Sequence, residues 1–392
     1  MRNNSIKHLF ISHRGGFNYF DILAKTCFDG EYVIIYDKYL KNNPDPDVVK
    51  KLKGLDLSRA LDFKLTEKLK KNPKLNWLYS MKWAQKIYKR KFRKKAELLA
   101  IQVDKYLKEY PSIEFVWLWN DQKPYSLIVK SLVKDLPVRC IYMENGWLPN
   151  STQMNLAGVN CSSDLNQNLS FYQEYAKQGP EYHLEGRLPT RNFRLTHLSK
   201  EGVTELPERY FFVPFQVDYD TQIIAHSPWI TDMLDLFEKT SNVLSKLGVN
   251  VVYKLHPSSS VDYSDLMVQA ENRKNVFFAN QVDTETLVNQ SQAVITINST
   301  VGFEGVLLNK PVICLGKAFY QFLCLRATDS ESLNAAVKKV VAGWDYDQEA
   351  RHGLLSYLSN EFLVEGDWRK PDEQHFQSVR NKLEEFESSV EQ

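Results

Sequence analysis

Two series of short apolar runs, each broken by helix-like stretches, constrain this chain more than any other feature. In the first half, the run 7–13 ends at Arg14-Gly15-Gly16, and 17–28 has helical spacing. Residues 32–37, 113–119 and 138–144 read as further strands, with helical spacing over 123–136. In the second half, 210–216, 250–256, 276–280, 293–298 and 311–316 read as strands, and 231–247, 283–291 and 300–308 as helices. Strands buried on both faces lose polar alternation and become continuous apolar runs. Parallel neighbours need a crossover, usually a helix. The pattern therefore predicts an α/β chain with two open parallel sheets.

A polar stretch at 195–207 separates the two series and is the expected boundary. This gives a Rossmann-like domain over 1–200, a second over 207–345, and a helical tail over 346–392. Two such sheets predict a cleft between their carboxyl edges, where ligands of these folds bind. Residues 64–95 stand apart. They carry thirteen Lys/Arg against one acid, Glu67, with Trp77, Tyr79, Trp83, Ile87, Tyr88 and Phe92 interleaved. Such a helical insertion either turns its aromatics to the core or presents a basic amphipathic surface to anionic lipid or a lipid-linked acceptor.

Lys+Arg 50 against Asp+Glu 48 leaves a net charge of +2, so no nucleic-acid partner is announced. No apolar run is long enough to span a membrane. The five cysteines, Cys27, Cys140, Cys161, Cys314 and Cys324, are scattered and form no C-x-x-C. That reads as a reducing, cytoplasmic setting without disulfides. Neither a metal motif, a P-loop nor a G-x-S-x-G is present, so no metal or cofactor is expected.

Four polar elements fall at predicted strand ends. Asn298-Ser299-Thr300-Val301-Gly302-Phe303-Glu304 sits where a strand becomes a helix. Its hydroxyls and amides suit a phosphate, and Gly302 would let a ligand approach the backbone. Lys254-Leu255-His256-Pro257 places a histidine and a lysine at a neighbouring strand end, suited to a leaving phosphate. Glu144-Asn145-Gly146 closes a strand of the first series. A carboxylate against Trp147 and Met143 would lose solvation, as a general acid or base requires. Asp218-Tyr219-Asp220 offers two acids, either of which could serve as nucleophile or orient a sugar.

In this order, the elements resemble the retaining β-Kdo glycosyltransferases of bacterial surface polysaccharide synthesis. The matching text is Glu144–Pro149 with Asn155–Asn160, then Val213–Asp220, Lys254–Pro257, Asn298–Glu304, Lys310–Val312 and Gly316–Tyr320. The WbbB type carries one such module, as this chain does; KpsC-type capsule enzymes carry two. The resemblance implies a GT-B-like pair of domains facing a cleft and CMP-β-Kdo as donor. It implies a polysaccharide or lipid-linked glycan acceptor, with peripheral contact at the inner membrane. His256 and Ser299/Thr300 would hold the CMP phosphate. Glu144 would be the base and Asp220 the nucleophile, with Asp218 its competitor. Lys254, Pro257, Asn145, Gly146, Asn298, Gly302 and Glu304 would complete the substrate site. Sialyltransferases, CDP-glycerol transferases and a non-catalytic carbohydrate-binding module are the alternatives. Arg14 is a candidate partner for the sugar carboxylate.

Overall fold

The computed structural model describes residues 6–12, 19–36, 57–71, 76–183, 198–259 and 261–388. Arg14-Gly15-Gly16 lies outside them. The strands are β1 (His8–Ser12), β2 (Tyr32–Tyr36), β3 (Phe115–Trp119), β4 (Arg139–Asn145), β5 (Ser151–Asn155), β6 (Tyr210–Pro214), β7 (Asn250–Lys254), β8 (Val276–Phe278), β9 (Ala293–Thr296), β10 (Val312–Cys314), β11 (Leu325–Arg326) and β12 (Val364–Glu365). They form two six-stranded sheets, both dominated by parallel pairs. The expected α/β class holds.

The chain divides into two compact units. The first holds the described residues within Met1–Asp164 and Phe362–Gln392, the second those within Leu165–Glu361. The boundary therefore falls before the polar stretch at 195–207. The helix Leu169–Ala176 already belongs to the second unit because Tyr172 and Phe171 pack on Tyr357 of the helix Gln348–Tyr357. The tail is not a separate body and not wholly helical. After Glu361 it returns to the first unit, adds β12 antiparallel to β5, and ends in the helix Glu373–Ser388.

In the first unit the order is β12-β5-β4-β3-β1-β2. Alternate residues of each central strand feed opposite faces. Phe10, Phe115, Trp117 and Trp119 meet Phe20, Leu23, Phe376 and Val379 on one side. Leu9, Ile11, Val116 and Leu118 meet Leu99, Val103, Val129 and Val133 on the other. That two-sided burial, roughly 1.5–3 kcal/mol per large side chain, explains the uninterrupted apolar text.

In the second unit the order is β8-β7-β6-β9-β10-β11, parallel throughout. Counted within the unit this is 3-2-1-4-5-6, the Rossmann order. The chain moves outward from β6 through β7 to β8, then crosses back to β9. The direction reverses between β6 and β9, so the loops leaving their carboxyl ends diverge and open a crevice. Both carry elements singled out in the sequence.

Candidate functional site

At the reversal point, the loops after β6 and β9 are tied by a reciprocal amide pair. Gln216 Nε2 donates to Asn298 Oδ1 at 3.0 Å, and the Asn298 N–H donates to Gln216 Oε1 at 3.2 Å. Asn298 Nδ2 also donates to the Gln222 carbonyl. Asn298 is buried and its amide is spent inside the protein. It positions the two loops that frame the crevice.

Ser299 caps the helix Thr300–Leu307, its Oγ accepting from the Val301 N–H at 3.1 Å. The Ser299 N–H donates to Thr296 Oγ1, and the Gly302 N–H to the Ser299 carbonyl. The Ser299, Val301 and Gly302 N–H groups, which such an end leaves without a helical partner, are thus answered within the chain. The oriented peptide dipoles still favour an anion at Thr300. Gly302 serves packing. A Cβ there would lie 2.2 Å from the Tyr320 hydroxyl and 2.6 Å from Thr296 Cγ2. The space expected for a ligand holds Tyr320.

A depression of ≈ 450 Å³, counting its open mouth, is lined by Pro214, Lys254, His256, Pro257, Thr284, Val301 and Glu304 among others. It unites four predicted residues from β7 and from the helix after β9. Pro257 follows His256 directly after the strand, and the turn brings the Ser258 N–H onto His256 Nδ1 at 3.1 Å. With Nδ1 accepting, a neutral ring carries its proton on Nε2. The Lys254 ammonium donates to the carbonyls of Asn280 and Val282. Burial pushes it down to about 8, against the pull of the Asp283 carboxylate. Lys254 thereby braces the loop after β8 while bordering the depression. Glu304, one turn into its helix, adds a half-buried carboxylate able to accept from hydroxyls.

The two acids that spacing could not separate have different surroundings. Asp218 is buried; its Oδ1 accepts from the Met233 N–H at 2.7 Å and its Oδ2 from the Tyr263 hydroxyl. Burial, then the Asp218 charge, pushes the Tyr263 hydroxyl well up. Asp220 is exposed and caps the helix Thr221–His226, accepting from the Gln222 N–H at 2.9 Å. Asp218→Ala is expected to cost about 2–5 kcal/mol, since two buried donors lose their acceptor. Asp220→Ala should cost about 1 kcal/mol, the worth of a helix cap. Urea denaturation midpoints of the two variants measure the difference.

In the first unit, β4 and β5 form a hairpin in which Glu144 faces Gln153 and Asn145 faces Thr152. Gly146 is needed where the turn folds tightly: a Cβ there would meet Ser151 at 2.0 Å. Glu144 Oε2 accepts from Asn120 Nδ2 at 2.9 Å, and Oε1 accepts from the Asn145 N–H at 3.0 Å. Asn120 is buried with φ 63, a left-handed conformation that Asn tolerates better than most residues. The expected desolvating partners do not enclose Glu144. Trp147 turns its indole N–H to Asn160 Oδ1 and stacks on Phe362, while Met143 points into the sheet's core. Glu144 is half-exposed and held by polar donors.

Sequence reasoning missed Trp368 and Arg369. The returning tail sets both on the hairpin end: Trp368 Nε1 and Arg369 Nη2 donate to Asn145 Oδ1 at 2.8 and 2.7 Å. The guanidinium lies over the Trp368 ring and also pairs with Asp367. No local signal marks them, because more than 200 residues of chain separate them from Asn145.

Comparison with known proteins bears on this arrangement. Residues 192–366 match the family described as capsule polysaccharide biosynthesis protein. Protein FixF of Sinorhizobium fredii is 34% identical over 234 residues, covering 59% of this chain. The match spans 56% of FixF, little more than half of that relative. The capsule polysaccharide modification protein LipB of Neisseria meningitidis serogroup A is 22% identical over 332 residues, 67% of this chain and 77% of LipB. Among solved structures, Thermosulfurimonas dismutans KpsC, beta Kdo 2,7 transferase, is similar with a TM-score of 0.41 and 19% identity, covering 60% of this chain and 79% of that one. Over 192–366, then, the chain is similar to proteins of capsule polysaccharide biosynthesis.

Proposed function

We propose that this chain is a retaining glycosyltransferase of bacterial surface polysaccharide synthesis that takes β-Kdo from CMP-β-Kdo. One observation carries the reading: the strand-order reversal of the second sheet opens beside a depression bordered by an oriented histidine and a helix N-terminus. A nucleotide phosphate is the ligand such an edge is built for. The similarity of 192–366 to capsule polysaccharide biosynthesis proteins supports the pathway class. The motif resemblance supplies the donor.

In the proposed reaction, an Asp220 carboxylate oxygen attacks C2 of the sugar as the bond from C2 to the phosphate oxygen breaks. CMP leaves with the electron pair. His256 Nε2–H donates to the departing phosphate, and the peptide dipoles ending at Thr300 stabilise its charge. The acceptor hydroxyl then attacks C2, Glu144 takes its proton, and the Asp220 carboxylate is released. Two inversions give net retention. Glu304 is assigned to hydroxyl groups of the donor. Arg369 is assigned to the sugar carboxylate: of its five guanidinium N–H donors, two are given to Asn145 and Asp367, and others can turn to a carboxylate.

The test is release of CMP with a panel of CMP-β-Kdo, CMP-sialic acid and CDP-glycerol, each with a Kdo-free or Kdo-terminated glycan acceptor. Release only from CMP-β-Kdo supports the reading. Preference for another cytidine donor, or sugar binding in calorimetry with no release from any, overturns it.

A further inference from the structure

The basic stretch lies on three helices, Ser58–Lys71, the single-turn Asn76–Tyr79 and the long Lys82–Glu109. The long helix is anchored by one stripe. Phe92, Ala96 and Ala100 pack with Leu61, Leu127 and Ile128, while Leu99 and Val103 reach the core of the first sheet. Small residues let this helix lie close to its support. The opposite stripe reads Trp83, Ile87, Arg90, Lys94, at spacings of four, three and four, and all four are exposed.

The apolar part of this surface is concentrated. Among the described residues nine large apolar side chains are exposed, and four of them lie between 77 and 87. They are Trp77 at 65%, Met81 at 39%, Trp83 at 57% and Ile87 at 60%. Scattered single exposures need no explanation, but a cluster does. Exposed cations flank it at Lys82, Lys86, Arg90, Lys91, Arg93 and Lys94. The few acids nearby are committed elsewhere in part: Asp62 pairs with Lys89, and Glu67 with Lys64.

We propose that the Trp77–Lys94 surface docks on the anionic face of a phospholipid bilayer, with Trp77, Met81, Trp83 and Ile87 entering the headgroup layer. Indole rings favour that layer, since they have an apolar body and one N–H that stays near water. Long basic side chains reach outward to lipid phosphates while their stems lie along the apolar patch. The apolar residues occupy one end of the helix and the cations continue along it, so an inserted tip is followed by a rim of charge. A bilayer accepts an exposed helix surface without a matching groove. No helix among the described residues is long and apolar enough to cross the membrane. The docking stands apart from the transfer reaction and does not depend on which sugar is moved.

The experiment is co-sedimentation of the full chain with vesicles of phosphatidylcholine alone or with a quarter phosphatidylglycerol. The wild type is expected to bind the anionic vesicles, less as salt rises, and to leave the neutral ones at least tenfold less occupied. Lys86→Gln/Arg90→Gln/Lys94→Gln should weaken partitioning about 100-fold, at about fivefold per charge. Trp77→Ala/Trp83→Ala/Ile87→Ala should weaken it tenfold or more. Both variants should keep the wild-type melting temperature, because the altered stripe faces away from the supporting core. Absence of wild-type binding to anionic vesicles overturns the proposal. So does equal binding by wild type and both variants, or capture on heparin without vesicle binding.

Discussion

Replacing Glu144 by Gln is expected to lower steady-state CMP release by about 10²–10⁴-fold and to leave one Kdo unit attached to the protein. In the proposed reaction, the first displacement needs Asp220 as nucleophile and help for the departing phosphate. Glu144 enters only when the acceptor hydroxyl must lose its proton. A variant impaired in the second step alone therefore stalls after the first. The substitution keeps a carbonyl oxygen that can accept from Asn120 Nδ2 or the Asn145 N–H, so the hairpin corner should survive. Intact mass after incubation with CMP-β-Kdo reads the stalled species, and peptide mapping reads its position. Adding Asp220→Ala to the Glu144 variant should remove the adduct while leaving the fold, because Asp220 is an exposed helix cap. An adduct mapped to Asp218, or wild-type turnover in the Asp220 variant, would sink the assignment of Asp220 as nucleophile. Asp218 starts at a disadvantage: both its oxygens already accept from Met233 and Tyr263 inside the unit.

What the sequence disclosed and what it hid follow one physical line. β3, β6 and β9 were legible because burial on both faces writes itself as an apolar run. β5 was not. Its text, Ser-Thr-Gln-Met-Asn, looks like a loop, yet four of its five residues are buried. Its polar groups are satisfied at a distance: Gln153 donates to the Asn145 carbonyl and accepts from the Asn160 N–H, and Thr152 donates to the Gly366 carbonyl. A buried polar strand is stable only with such partners, and the partners lie in other segments. β12 was hidden for a similar reason, being two residues whose pairing depends on the tail returning to β5. At the candidate site, the strand-end motifs were readable as local text. Which side chains face outward was not. Tyr263 draws Asp218 inward, Gln216 occupies Asn298, and the tail brings Trp368 and Arg369 to Asn145. Each of those facts is a long-range contact, and one-dimensional spacing carries no record of it.

Gly302 offers the sharpest test of how far the phosphate reading extends into the helix end. The motif suggested a glycine kept small for a ligand, whereas the structure places Tyr320 against it. A Cβ would stand 2.2 Å from the Tyr320 hydroxyl and 2.9 Å from Cζ. The phenol cannot yield cheaply. It is fully buried, donates to the Ser299 carbonyl at 2.6 Å, and packs edge-on against Phe319 and tilted against Phe303. Gly302→Ala is therefore expected to cost about 3 kcal/mol of stability, in the range of overpacked cores. Tyr320→Phe alone should cost about 1 kcal/mol for one hydrogen bond, since the Ser299 carbonyl keeps the Gly302 N–H. The double variant removes the closest clash. Its loss should fall short of the sum of the singles by about 1 kcal/mol or more. Urea denaturation of the four proteins measures this coupling, and the KM for the donor is read alongside. A glycine reserved for the ligand would behave otherwise: Gly302→Ala would keep wild-type stability, raise KM, and show no coupling to Tyr320. Coupling with lost stability instead makes Tyr320 the buried strut that holds Ser299 and Thr300 at the strand edge where the phosphate is proposed to sit.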